Sequence, residues 1–432
     1  MDTVAYHTFG CKLNFSETSS ISRMFKNKGF KKTSIFKNPK KIIINTCSVT
    51  ENADKKCKDL IKKIKRKSPD SEVIVIGCYA QLKPIEIEKL NGVDKVLGNK
   101  EKFEINNYLR NKKERVIHSK IDESTKFNFT YSIDERTRSF LKIQDGCNYG
   151  CSFCTIPLAR GKSRSSTTSE VLKKIDNLIL KGSKEIVLSG INIGDFGIIN
   201  GQRKETFKDL ISEIEKINKK IRIRISSIEP NLLNDEIINL VYNSNKFLNH
   251  FHLPLQSGSN KILKKMSRRY NRELYLDRVN KIKKLMPEAC IGGDVIVGFP
   301  GESNNDFNET YKFINNLDID YLHVFPYSER NNTRAKMIND IVPLEIRNKR
   351  SKMLRILSEK KKRKFYKNNL NSIKKVLFEK GKDKDYLYGF SENYIKVKIP
   401  YKEKVSGKIK STLLNEIDSD LSVKGKIVLK WK

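Results

Sequence analysis

The sequence predicts an α/β protein in three parts: an N-terminal parallel α/β domain, an open (β/α)6 partial barrel, and a small C-terminal β-barrel. Three observations predict it. Short apolar strands alternate with helices from the first residues, and six further strand–helix units follow between about 136 and 369. Beyond residue 372 the helical period stops and short alternating stretches replace it.

In the first part, strands are predicted over 4–8, 41–45 and 72–76, and helices over 15–27, 52–67 and from 84, with Gly29 and Pro69 as stops. A βαβα order implies a parallel sheet. Just beyond each strand stands a cysteine: Cys11 in TFGCKLN, Cys47 in NTCSVT and Cys78 in IGCYAQ. A parallel sheet opens all its strand C-termini on one edge, where ligands gather. Three thiolates delivered there suit an iron–sulfur cluster with one iron free; three small buried thiols are the alternative. Cys57, flanked by lysines on a helix, and Cys290, which opens an apolar strand, read as packed thiols.

Residues 111–135 are polar and without a sustained period, as in a linker. Strands then follow over 140–143, 185–188, 221–225, 249–252, 291–297 and 321–325, with helices between them. Six such units exceed a minimal open sheet and fall short of an eight-fold barrel. A curved, partly open barrel has its active site at the strand C-terminal face.

After the first of these strands comes IQDGCNYGCSFCTIPLARG, with Cys147, Cys151 and Cys154 spaced C-x3-C-x2-C. Three thiolates this close grip one face of an iron–sulfur cube and leave its fourth iron open. A zinc knuckle would need a fourth ligand, and between Lys100 and Asn249 only His118 is on hand. Arg160 and Arg164 follow directly, suited to carboxylate or phosphate oxygens, or to a solvated basic loop. Later strand ends carry Gly190 and Gly194, Ser226, Ser227 and Glu229, Gln256, and Asp294. Such groups converge on one pocket, although each also has an ordinary structural role in turns and helix starts. His250 and His252 fall on a short apolar strand, as core packing requires.

The run 345–369 is helical in pattern and dense in Lys and Arg, its face solvated or laid along phosphates. The last sixty residues hold Tyr386, Tyr388, Phe390, Tyr394 and Trp431 among lysines. Aromatics beside cations suit stacking on unpaired bases, unless they fill the barrel. Net charge of +37 in 432 residues points to a polyanion, but Lys, Asn and Ile are abundant everywhere, as an AT-biased genome also produces. Eight cysteines without a secretory leader argue for reduced thiols used as ligands. No apolar run is long enough for a bilayer, so a cytoplasmic protein without membrane contact is expected.

The cysteine loop, with Phe153 as the aromatic before the last cysteine, resembles the radical S-adenosylmethionine (SAM) superfamily. Together with TFGCKLNFSET, NTCSVT and HLPLQSGS, the order of parts resembles the methylthiotransferase family along nearly the full chain. The resemblance implies a methylthiotransferase domain over 1–110, a linker over 111–135, and a radical SAM partial TIM barrel over 136–369. A TRAM-like RNA-binding barrel over 370–432 completes it. It implies two [4Fe-4S] clusters and SAM as cofactors. Cys147, Cys151 and Cys154 would hold the cluster that cleaves SAM, and Cys11, Cys47 and Cys78 an auxiliary cluster carrying the sulfur. A 5′-deoxyadenosyl radical would take hydrogen from C2 of an adenine, where acid–base chemistry has no purchase. A second SAM would methylate the sulfur. Phe153, Arg160, Gly190, Ser226, Glu229, Gln256 and Asp294 are the expected cofactor contacts.

Gly10-Cys11-Lys12-Leu13-Asn14 is closest to the branch acting on N6-threonylcarbamoyladenosine (t6A) 37 in the tRNA anticodon stem-loop. The isopentenyladenosine branch more often reads GCQMN there. Ser166 departs from the family, where many relatives carry arginine. A monomer and a reductase such as flavodoxin or ferredoxin are also implied. Isopentenyladenosine as substrate, and a non-catalytic Fe–S sensor that binds RNA, stand as alternatives.

Overall fold

The computed structural model describes residues 1–109, 114–121, 126–133, 137–381 and 383–428. The N-terminal sheet has six parallel strands in the order Lys31–Lys32, Thr3–Thr8, Lys41–Thr46, Glu72–Gly77, Lys95–Leu97 and Val116–Ile117. Its central strands are continuous apolar runs, Ile42–Ile43–Ile44 and Val73–Ile74–Val75–Ile76, all fully buried. That is what burial of a parallel sheet on both faces demands. Helices Lys12–Asn27 and Glu51–Lys67 connect the central strands, the second capped by Thr50 on the Ala53 amide.

The stretch read as a linker is partly structured. Val116–Ile117 adds a parallel edge strand, and Tyr131 bridges Leu141 beside the first barrel strand. Contacts of one or two residues leave no periodicity to read.

Six parallel strands form the middle of the chain in sequence order. Ser139–Lys142, Glu185–Ser189 and Arg222–Ile225 make one sheet, and His250–His252, Cys290–Val297 and Tyr321–Pro326 another. Isolated parallel bridges Ile223–Phe247 and Ser227–His252 join the two, giving a half-open barrel with its first and last strands at the free edges. Capping boxes at Thr167, Thr206 and Ser303 start helices Thr168–Leu180, Phe207–Glu215 and Asn304–Asn316.

Helix Leu344–Asn368 runs back along the last barrel strand, where the Ser358 hydroxyl accepts from the Leu322 amide at 2.8 Å and donates to the Leu322 carbonyl at 3.1 Å. It leads into a closed five-stranded barrel: Ile373–Phe378, Tyr386–Phe390, Lys396–Pro400, Val423–Ile427 and Ile409–Ile417. The aromatics of this barrel divide. Tyr394 stacks on His250 at 4.1 Å and on Phe390 at 4.9 Å, so both are half-buried at the junction with the middle barrel, where they line a cavity of about 430 Å³. Tyr386 and Tyr388 stay at the surface under Lys398 and Lys396. Trp431 lies outside the described residues. Among the described residues no helix is long and apolar enough to cross a membrane.

Candidate active site between two cysteine trios

The first trio comes from three neighbouring strands. Cys11 follows Thr3–Thr8 at the cap of helix Lys12–Asn27, Cys47 follows Lys41–Thr46, and Cys78 opens a short helix after Glu72–Gly77. The strands are paired in register, Thr8 with Asn45 and Thr46 with Gly77, so their ends stand side by side. Gly10 lets the first two approach: at φ +94° it occupies the left-handed region, and a Cβ there would stand 2.6 Å from the Cys47 Cβ.

The second trio is held by a clamped loop. Gln144–Asp145 pairs antiparallel with Arg164–Ser165, closing residues 146–163 into a lobe. Within it, the Cys147 amide donates to the Gly161 carbonyl at 3.0 Å and the Cys154 amide to the Cys151 carbonyl at 3.1 Å. Gly146 is required at φ +70°, since a Cβ would fall 2.0 Å from the Lys162 carbonyl oxygen.

Several donors face the sulfurs. The Tyr149 and Ile156 amides point at Cys147 Sγ (3.3 Å) and Cys154 Sγ (3.4 Å), and Arg268 donates to Cys151 Sγ at 3.1 Å. Asn99 reaches Cys78 Sγ at 3.8 Å. Burial pushes Cys47 and Cys154 up to about 12, with the neighbouring cysteines of each trio adding to the shift, and Cys147 up to about 11. Without metal these groups are thiols, and a bound metal must displace their protons. Each trio offers three soft donors, and the two remaining cysteines, Cys57 and Cys290, are buried in hydrophobic clusters of their own. Three cysteines with no fourth among the described residues fit a cubane that keeps one iron open.

Beside the second trio lies a cavity of about 230 Å³, which Cys154 lines directly and which the first trio reaches only through the loop that follows Cys47. Val49 and Thr50 line it from the loop after Cys47, Phe153 and Cys154 from the cluster loop, and Gln256, Asp294 and Phe325 from the barrel. Gln256 has φ +64°, rare for a residue with a side chain and frequent where strain serves a site. Asp294 lies 3.4 Å from His252 Nε2, whose Nδ1 meets Ser227 Oγ at 2.7 Å. Burial pushes the Asp294 carboxyl up, but His252, His323 and Lys12 outweigh it and hold it below the usual carboxylate range. Ser226 Oγ is buried with no hydrogen-bond partner among the described residues. The structure thus brings Phe153, Gln256 and Asp294 together at the cavity.

Other expected contacts go elsewhere. Arg160 is held inside the protein: its guanidinium is buried and bonded to Glu17 (3.0 and 3.2 Å), Asp145 (2.9 Å) and Asn14 (2.6 Å), and its charge acts on Cys78, Cys11 and Cys47 of the first trio. Glu17 also takes Lys102 at 2.6 Å and Lys142 at 3.4 Å, so this ion network ties the first helix to the cluster loop. Arg164 is absorbed by carbonyls of Arg160 and Lys162. Glu229 pairs with Arg268, orienting the guanidinium that touches Cys151. Gly190 admits Ile193 and the Gln144 amide, which a Cβ would meet at 2.6 and 2.9 Å. Ser166 hydrogen-bonds Glu170.

Sequence reasoning missed Lys12, His252, His323 and Arg268. It also missed Arg330, whose buried guanidinium bonds the Ser48 carbonyl and Asp54 carboxylate at 2.8 Å and fixes the loop of Cys47 to the barrel. Strand alternation alone would have put 321, 323 and 325 on one face.

Residues 141–314 match the profile of the Radical SAM superfamily, and residues 3–98 that of Uncharacterized protein family UPF0004. The chain is 39% identical over 420 residues to Threonylcarbamoyladenosine tRNA methylthiotransferase MtaB of Bacillus subtilis (strain 168), covering 95% of this chain and 93% of that one. It is 36% identical over 379 residues to tRNA-2-methylthio-N(6)-dimethylallyladenosine synthase of Clostridium botulinum (strain Loch Maree / Type A3), covering 85% and 84%. Among solved structures, the radical S-adenosylmethionine methyltransferase TsrM from Kitasatospora setae, with cobalamin and a [4Fe-4S] cluster bound, shares the fold. Its TM-score is 0.56 at 13% identity, over 78% of this chain and 77% of that one. With relatives at this identity over nearly the whole chain and the Radical SAM profile over its middle, the chain belongs to the methylthiotransferase family of the Radical SAM superfamily.

Proposed function

We propose that the protein transfers a methylthio group to C2 of N6-threonylcarbamoyladenosine 37 in tRNA, with SAM and two [4Fe-4S] clusters as cofactors. One observation carries this: loops of both trios line a single cavity. Cys147, Cys151 and Cys154 would hold the cluster at which SAM binds, and Cys11, Cys47 and Cys78 the one that carries sulfur. When bound, these groups supply the one-electron and sulfur chemistry that an aromatic C–H bond needs. The chain's own share is positional. Arg268 and the Tyr149 and Ile156 amides stabilise sulfur charge, Phe153 and Phe325 keep the cavity apolar, and Gln256 and Asp294 present polar groups to the ligand.

Relatives act on tRNA by name, and the C-terminal barrel supports the anticodon stem-loop as the part recognised, through Tyr386, Tyr388 and neighbouring lysines. Truncation after Leu370 should weaken binding and flatten its salt dependence, which runs at about −0.7 to −0.9 per phosphate contact. We assign the protein to the cytoplasm as a monomer reduced by flavodoxin or ferredoxin.

Anaerobic reconstitution tests the core of the reading. The wild-type chain should hold about eight irons. Alanine at Cys11, Cys47 and Cys78 should remove about half of them and abolish sulfur insertion while SAM cleavage continues. Four irons in the wild-type chain, unchanged in that variant, would overturn it. Mass spectrometry of tRNA nucleosides from a deletion strain, with and without this chain restored, separates t6A from isopentenyladenosine as substrate.

A further inference from the structure

Lys12, next to Cys11, is the first side chain of its helix and is half-buried. Among the described residues its ammonium makes no hydrogen bond and no ion pair. Phe15, one turn on along the same helix face, meets Phe140 of the first barrel strand edge-on at 5.8 Å, so Lys12 faces the middle barrel, where its charge acts on His250, Asp294 and His323. Asp294 and His323 are register partners on adjacent strands. The two cations nearest in effect, Arg138 and Arg224, are already bonded to Glu379 at 2.9 Å and Glu185 at 2.8 Å. An accessible ammonium left over among satisfied guanidiniums is a site for an anion.

His252, Asp294 and His323 bring ligand atoms within 4.8 Å of one another, a donor set of the kind a divalent ion uses. The Lys12 charge already offsets Asp294, however, and an added cation would meet Arg138 and Arg224 as well. The surroundings favour an anion.

Resting on the substrate proposed above, we infer that Lys12 binds the carboxylate of the threonylcarbamoyl group and so selects it over a neutral N6 substituent. That carboxylate is the one anionic group carried by the base itself. The chain places Lys12 beside the first trio, so the base that accepts sulfur there brings its substituent within the lysine's reach. An ammonium–carboxylate hydrogen bond is worth about 10–100-fold in kcat/KM.

The test compares a t6A stem-loop with the same stem-loop carrying the threonine carboxylate as its methyl ester, using wild-type protein, Lys12→Gln and Lys12→Arg. With wild type, esterification should cost about 10–100-fold in kcat/KM. Lys12→Gln should lose that factor on the acid and nothing further on the ester, and Lys12→Arg should keep most of the preference. Equal losses on acid and ester would place Lys12 at a phosphate, at SAM or at the cluster and overturn the inference. So would a wild-type enzyme indifferent to the ester, a result independent of any variant's folding. A wild-type enzyme that modifies neither stem-loop fails the substrate reading instead.

Discussion

Glu17 is a fully buried carboxylate shared by Arg160, Lys102 and Lys142, all of them buried too. Burial pushes its carboxyl up, yet the three cations outweigh that and hold it well below the usual carboxylate range. Glu17→Gln keeps the shape and removes the charge. Three buried cations then face Asp145, with Arg160 at 2.9 Å and Lys142 at 3.1 Å as its nearest partners. Removing one member of a buried ionic group costs about 3–5 kcal/mol, because the charges left behind stay desolvated. At an m-value of about 2–3 kcal/mol/M, a loss of about 4 kcal/mol lowers the urea midpoint by roughly 1.3–2 M. Anaerobic urea denaturation followed by far-UV circular dichroism reads this directly. The exposed pair Lys208–Glu236, at 2.6 Å, is the control, and Lys208→Ala should leave the midpoint unchanged. Because the network joins the helix of Cys11 to the strand before Cys147, Glu17→Gln should also lower iron retention in both trios. A midpoint within about 0.3 M of wild type would refute the reasoning, since the network would then contribute no more than a surface pair.

Gly10→Ala should cost about 1–3 kcal/mol and lower iron binding by the first trio while sparing the second, because the new methyl group collides with Cys47 at a left-handed φ; separate iron counts in trio-deleted backgrounds check it. Cys57→Ala and Cys290→Ala should leave iron content unchanged, both thiols being buried away from the trios. Burial pushes the Asp306 carboxyl up, but hydrogen bonds from Ser303, Lys261 and Ser259 prevail and hold it at about 2 against an ordinary 3.8. A depressed acid contributes stability that is present above its unfolded value and lost as pH falls through the folded one. Allowing for solvent around Lys261, Asp306→Asn should cost about 1–2 kcal/mol at neutral pH and progressively less from pH 4 to 2, read by thermal denaturation across that range.

What the sequence made legible follows from the range of the interactions concerned. Ile42–Ile44, Val73–Ile76 and Ile291–Val297 announced strands because burial on both faces needs consecutive apolar residues. Lys31–Lys32 and Val116–Ile117 announced nothing, since two residues have no period. The cluster loop was legible from its spacing, and the first trio from a position repeated at three strand ends. The errors fell on charged and aromatic side chains. Arg160 stands beside the cluster loop in sequence, yet its carboxylate partner Glu17 is 143 residues away. A guanidinium adjacent to a motif looks the same in sequence whether it faces a cofactor or fills an interface. Tyr386 and Tyr394 raise the same difficulty: both belong to an aromatic-rich segment, but one meets solvent and the other His250. Lys12 inverts the case. In the sequence it stood only as one letter of the pentapeptide at Cys11, and the absence of a partner among the described residues is what gives it a role of its own. Function in this protein is therefore concentrated where pairing among the described residues is incomplete: two thiol trios without a fourth cysteine, and Lys12 without an acid.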